Sequence, residues 1–190
     1  TTYQEYAIKN NVIHHLAGPG ISTYSDAVGT ILIENNHLYN HIRVLSIAGN
    51  PPYHLTHGSG IAMWDRIPND EMDTNIIIRN NILHDAGSTA LIRIYPDQDV
   101  TFNNILIENN LLYDGLNPKG AGLNNLGRNV TIRNNTFIGS HNGNGNRGTN
   151  QQHGAPIDLL VNEPSDGSEI YFYDNIVVGR VNMNEIIWSN

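Results

Sequence analysis

The chain has no cysteine among its 190 residues, which excludes a disulfide framework and any thiolate metal site. Lysine is almost missing, with only Lys9 and Lys119, and Lys and Arg together number 10 against 18 Asp and Glu, for a formal charge of −8. Affinity for nucleic acid comes mainly from cationic side chains on phosphates, so nucleic acid is not an expected partner. No run approaches the eighteen or more apolar residues of a membrane-spanning helix, and the first residues show no signal-peptide pattern. No membrane partner is expected either. The shortage of lysine, beside abundant Asn and 18 Gly, leaves little for amphipathic helices and much for tight turns, which points to β structure. An apolar share of 39% suffices for a continuous core, and the length suits one domain.

What is present is a repeat. The segments Ile31–Leu38, Ile76–Leu83, Ile105–Leu112, Val130–Phe137 and Ile170–Val177 share the pattern apolar-x-apolar-x-Asn-Asn-x-apolar, the last with Asp174 in the first Asn position, and Ala7–His14 carries the same Asn pair one place earlier in its octet. The marker residues Asn10, Asn35, Asn80, Asn109, Asn134 and Asp174 recur at intervals of 25, 45, 29, 25 and 40 residues. A base period near 25 with two insertions fits stacked units. Each unit reads as a short alternating strand, an Asn turn and a second short strand. Asn suits the turn because it tolerates left-handed backbone, and its amide can also bond the Asn of the next unit. Such a buried amide ladder is expected at residues including Asn80 and Asn109.

A Gly- or Ala-led third strand follows in five units, at Gly20–Tyr24, Gly60–Trp64, Ala90–Tyr95, Gly122–Leu126 and Ala155–Leu160. Three strands per turn of about six coils predict an all-β solenoid, a right-handed parallel β-helix. An antiparallel sandwich would have no reason to repeat the same octet six times, and a leucine-rich-repeat horseshoe would need a helical half. The Asn-Asn repeats resemble the right-handed parallel β-helix superfamily that includes the pectate-lyase-like proteins, and the likeness spans nearly the whole chain. That superfamily holds lyases, glycoside hydrolases, epimerases, tailspikes, adhesins and a few carbohydrate-binding modules, so the resemblance implies a fold and secretion without implying a reaction.

Alternation along the third strand sends Ile21, Ile61, Ile92 and Ile157 inward, and their neighbours Tyr24, Trp64, Arg93, Tyr95, Asn124 and Asp158 into an outward column, with Asp65 and Arg66 just beyond. Parallel strands lie about 4.8 Å apart, close to one pyranose unit, so a glycan along the axis would meet one coil per sugar. Aromatic rings offer faces to sugar C–H groups, and Asn, Asp and Arg fork hydrogen bonds to hydroxyls. The alternative is that these aromatics pack beneath the two inserted loops, Ala48–Ser59 and Ser140–His153. The negative charge disfavours polyuronates and favours a neutral chain such as xylan. For an enzyme, Asp65 and Asp158 are the carboxylate pair to test, with Arg93 as the nearest base.

Asp70 with Asp73 and Asp97 with Asp99 are acidic turns that could take calcium, or simply form solvated turns. The histidine pairs His37 with His41 and His54 with His57 carry no zinc signature. His14 and His84 share a repeat position with Tyr39 and Tyr113 and read as surface decoration. No organic cofactor is expected. The first repeat starts close to Thr1, without space for a cap over the core, so residues 1–190 are read as one module of a longer secreted protein. Three functions stay open: an extracellular polysaccharide-binding module, monomeric and tethered to a catalytic domain; the core of a polysaccharide lyase or glycoside hydrolase; and a segment of a structural adhesin or tailspike.

Overall fold

The structure, a computed structural model, describes residues 4–16, 18–24, 29–41, 59–65, 74–85, 90–96, 104–113, 121–125, 129–138, 157–160, 170–178 and 181–184. For Gln4, Tyr24, Trp64, Asp65, Thr74, Tyr95, Pro96 and residues 121–125, 157–160 and 181–184 it describes the backbone alone. The inserted segment 48–58 and the polar segment 140–153 lie outside the described residues.

Every regular element among the described residues is a strand, and six repeats contribute three strands each. The first repeat holds β1 (Gln4–Lys9), β2 (Val12–His14) and β3 (Ile21–Tyr24), and the second holds β4 (Gly29–Glu34), β5 (His37–Tyr39) and β6 (Ile61–Asp65). The third holds β7 (Thr74–Arg79), β8 (Ile82–His84) and β9 (Ala90–Pro96), and the fourth holds β10 (Ile105–Glu108), β11 (Leu111–Tyr113) and β12 (Ala121–Asn125). The fifth holds β13 (Val130–Arg133), β14 (Thr136–Ile138) and β15 (Ile157–Leu160), and the sixth holds β16 (Ile170–Tyr173), β17 (Ile176–Val178) and β18 (Val181–Asn184). The last of these is a third strand that the five-strand reading of the sequence did not include.

Each repeat places one strand in each of three six-stranded sheets, ordered β1-β4-β7-β10-β13-β16, β2-β5-β8-β11-β14-β17 and β3-β6-β9-β12-β15-β18. We call these the first, second and third sheets. All of the pairings are parallel. Equivalent residues of successive repeats are paired, so one core column runs Ile33, Ile78, Ile107, Ile132 in the first sheet and another runs Leu38, Leu83, Leu112, Phe137 in the second. Ile61, Ile92 and Ile94 close the core from the third sheet, and all of these residues are buried. Each such side chain stabilises by roughly 1.5–3 kcal/mol when taken fully out of water.

The two residues of each Asn pair divide the work between them. Asn10, Asn35, Asn80, Asn109, Asn134 and Asp174 all have φ between 53° and 60°, the left-handed region that turns the chain from the first sheet into the second. The buried ladder is built by the second residue of each pair, contrary to the expectation for Asn80 and Asn109, which are exposed. Asn81 Nδ2 donates to Asn110 Oδ1 at 3.0 Å and to the Ile33 carbonyl at 3.0 Å, and its backbone N–H donates to the same Oδ1 at 2.9 Å. Asn110 repeats this with Asn135 and Ile78, and Asn135 with Asn175 and Ile107. A carbonyl oxygen with two lone pairs and an amide with two N–H groups can extend such a chain without leaving a buried polar atom unpaired.

The outer edge of the first sheet adds a second register device. Lys9, Glu34, Arg79, Glu108, Arg133 and Tyr173 are paired in sequence across the six strands, so charges alternate. Glu34 receives Arg79 Nε at 2.6 Å and Lys9 Nζ at 3.4 Å. Glu108 receives Arg133 Nη2 at 2.7 Å, and Arg133 Nη1 donates to the Tyr173 hydroxyl at 3.3 Å. The Arg79 hydrogen bond, aided by Lys9, holds the Glu34 carboxyl below its ordinary range against the opposing effect of burial. Slipping the strands by one repeat would set like charges about 4.8 Å apart.

Candidate functional site

The third sheet resolves the expected outward column into two. Tyr24 pairs with Trp64 and Trp64 with Tyr95. Two residues earlier, Ser22 pairs with Ala62, Ala62 with Arg93, Arg93 with Asn124 and Asn124 with Asp158. The aromatic positions are therefore confined to the first three repeats, and the polar positions run on through Asp158 in the fifth to its partner Asn182 in the sixth. The second column is not uniformly open: Ser22 is exposed and Arg93 half-buried, but Ala62 between them is fully buried. Asp65 and Asp158 are not brought together, because β6 and β15 are separated by β9 and β12. Three strand steps amount to about 14 Å across the sheet, beyond the roughly 9.5 Å that the two carboxylates of a glycosidase can span. Arg66 and the calcium candidates Asp70, Asp73, Asp97 and Asp99 lie outside the described residues, as do His54 and His57. Among the described residues no group of three His, Cys, Asp or Glu is placed to hold a metal ion.

The second sheet carries a cluster of rings that the repeat pattern had suggested was decoration. His14, Tyr39, His84 and Tyr113 occupy one column on β2, β5, β8 and β11. Their rings stack nearly parallel, with centroids 5.0, 5.2 and 4.6 Å apart and interplanar angles of 19°, 5° and 13°. His37, on the neighbouring column, places Nε2 2.9 Å from His84 Nε2, and His84 Nδ1 meets Asp85 Oδ2 at 2.8 Å. His14 Nδ1 lies 2.7 Å from His15 Nδ1, and His15 Nε2 lies 3.3 Å from Asn40 Nδ2. Sequence alone showed His14 and His84 at one repeat position with the two tyrosines, but nothing in it showed that His15 and His37 join them.

Beneath this face, where the second sheet turns into the third, His41 is fully buried, and among the described residues neither ring nitrogen makes a well-formed hydrogen bond, the Ile13 backbone being the nearest partner. Burial, reinforced by His14, His15 and His84, lowers its pKa to about 4, with the nearby Ile13 backbone opposing in part. Gly20 makes room for it: a Cβ at that position would lie 2.7 Å from His41 Cε1 and Nε2 and 2.8 Å from the Gly60 carbonyl. Gly60 is equally constrained, since its Cβ would meet Leu83 Cδ2 at 2.8 Å and the Leu91 carbonyl at 2.9 Å. Glycine here answers to close approach at the corner.

The chain matches no protein-family model, and comparison with curated proteins and with solved structures finds no match.

Proposed function

We propose that the six repeats wind as a right-handed parallel β-helix of the pectate-lyase-like kind, and that the chain is an extracellular, noncatalytic module that binds a neutral glycan along the third sheet. The winding reading rests on each sheet taking every third strand in parallel, a connection that is right-handed in nearly all proteins. The binding reading rests on one observation, the Tyr24, Trp64 and Tyr95 pairing on adjacent strands. That spacing, about 4.8 Å per strand, suits consecutive sugars of a β-linked chain such as xylan. Ser22, Arg93, Asn124 and Asp158, in the parallel column, supply the hydroxyl partners. The charge of −8 favours a neutral ligand over a polyuronate. As a module it would act in tandem with a catalytic domain, holding that domain to its polysaccharide.

Affinity electrophoresis in gels containing soluble xylan, pectin or β-glucan tests this directly. Retardation in xylan alone, reduced by Trp64→Ala by about 1–3 kcal/mol of binding free energy with unchanged thermal unfolding, is the expected result. Equal mobility in all gels, or a Trp64→Ala variant that loses stability and keeps its binding, would end the proposal.

A further inference from the structure

The outer face of the second sheet is apolar and carries no charged side chain. Alternation turns Ile13, Leu38, Leu83 and Phe137 toward the core and leaves two columns outside, one running from Val12 to Ile176 and the other from His14 to Val178. None of the twelve positions in these columns is Asp, Glu, Lys or Arg. Val12 and Ile176 are 65% and 61% exposed, and Ile82, Ile138 and Val178 are exposed as well. Five of the nine exposed large apolar side chains among the described residues thus lie on this one sheet. A contiguous apolar face of this kind marks a contact surface.

We infer that a second copy of the chain covers this face, related by a twofold axis that runs along the strands between β8 and β11. Such an axis reverses the order of the repeats and keeps each column over itself. His14 then lies opposite Val178 of the second copy, His37 opposite Thr136 and Tyr39 opposite Ile138, so these rings meet smaller side chains. Only beside the axis, where His84 meets Tyr113, do two rings face each other. The same rotation reverses the charged row at the neighbouring edge of the first sheet, which places Glu34 opposite Arg133 and Arg79 opposite Glu108 along one rim. A slip of one repeat would instead oppose like charges, with Arg79 against Arg133 or Glu34 against Glu108. Solenoids laid parallel would set the rings of the first three repeats over one another and send the two charged rows to opposite rims. The uncharged centre and the complementary rim therefore select one arrangement of two copies.

The strands of this face are three residues long, and its five strand steps span about 24 Å. That is less than the roughly 800 Å² per partner of a standard interface, so the pair is a weak dimer whose population follows concentration, in place of the single copy expected of the module. It uses no residue of the third sheet and is independent of what that sheet binds. Sedimentation equilibrium of the whole chain between about 10 μM and 1 mM should show monomer passing to dimer, with no larger species. Ile82→Lys, beside the axis, and Ile138→Lys should each weaken association by about tenfold or more. Both side chains are exposed, so thermal unfolding should not change, and either variant suffices if the other is unstable. The chain has no cysteine, which lets cross-linking read the register. Val12→Cys and Ile176→Cys, mixed and treated with a bismaleimide that spans the separation of packed sheets, about 10 Å, should cross-link about tenfold more than either variant alone, whose like positions lie about 24 Å apart. Monomer at every concentration, open-ended growth, association untouched by both lysines, or cross-linking no greater in the mixture would each overturn the proposal.

Discussion

Replacing Asn110 with Ala probes the internal ladder at its centre. The side chain is 2% exposed. Its Oδ1 accepts from both the backbone N–H and the amide of Asn81, at 2.9 and 3.0 Å, and its own amide donates to the Ile78 carbonyl at 2.9 Å and Asn135 Oδ1 at 3.0 Å. Asn81 Nδ2 keeps its bonds to Ile33 and Arg79, and Asn135 Oδ1 keeps the Asn110 backbone N–H. The groups left without these partners are the Asn81 backbone N–H and one lone pair of the Ile78 carbonyl. At about 1–3 kcal/mol for each buried unsatisfied group, the loss should be about 2–5 kcal/mol. Asn109, next in sequence, is exposed with φ of 56°. Asn109→Ala should cost only about 1–2 kcal/mol of left-handed strain, and Asn109→Gly less than that. Urea unfolding of the three variants, at constant m-value, measures the order directly. If Asn109→Ala proved as damaging as Asn110→Ala, the assignment of separate turn and ladder roles would be wrong.

Three further outcomes are expected. Glu108→Lys would align cations at 79, 108 and 133 on consecutive strands; it should destabilise by about 1–2 kcal/mol in dilute buffer and by much less in 1 M NaCl, since Arg79 and Arg133 are partly exposed. Gly60→Ala should lower the unfolding midpoint by the equivalent of about 1–3 kcal/mol, because its Cβ would press on the Leu91 carbonyl, which cannot move aside as a side chain could. His41, with its pKa lowered to about 4 in the folded chain, contributes stability that is fully present above about pH 6.5 and is lost as pH falls toward 4. Urea titrations at pH 7.5 and 5 should show about 2 kcal/mol of loss that His41→Leu removes.

Much of the architecture was legible in the residues. The octet with its Asn pair carries both periodicity and turn chemistry, so the first two strands of each repeat, and their stacking, could be read directly. The third strands were read from Gly- or Ala-led aliphatic runs, and Val181–Asn184, although Gly179 precedes it, escaped because it has only two apolar residues. The ladder could not be assigned to Asn81 over Asn80 by pattern, since adjacent asparagines look alike until burial separates them. Nor could the proximity of Asp65 to Asp158 be judged before the intervening strands were counted.

The sequence by itself determined the repeat, the turn residues and the alternation of apolar positions, because these depend on contacts within a few residues. Tertiary structure decided what depends on lateral register. His14, Tyr39, His84 and Tyr113 stand 25, 45 and 29 residues apart along the chain; the repeat gives them one position, but not the contact between their rings. Parallel pairing removes the insertions from the geometry and sets the four rings in one stack, just as it turns five scattered charges into an alternating row.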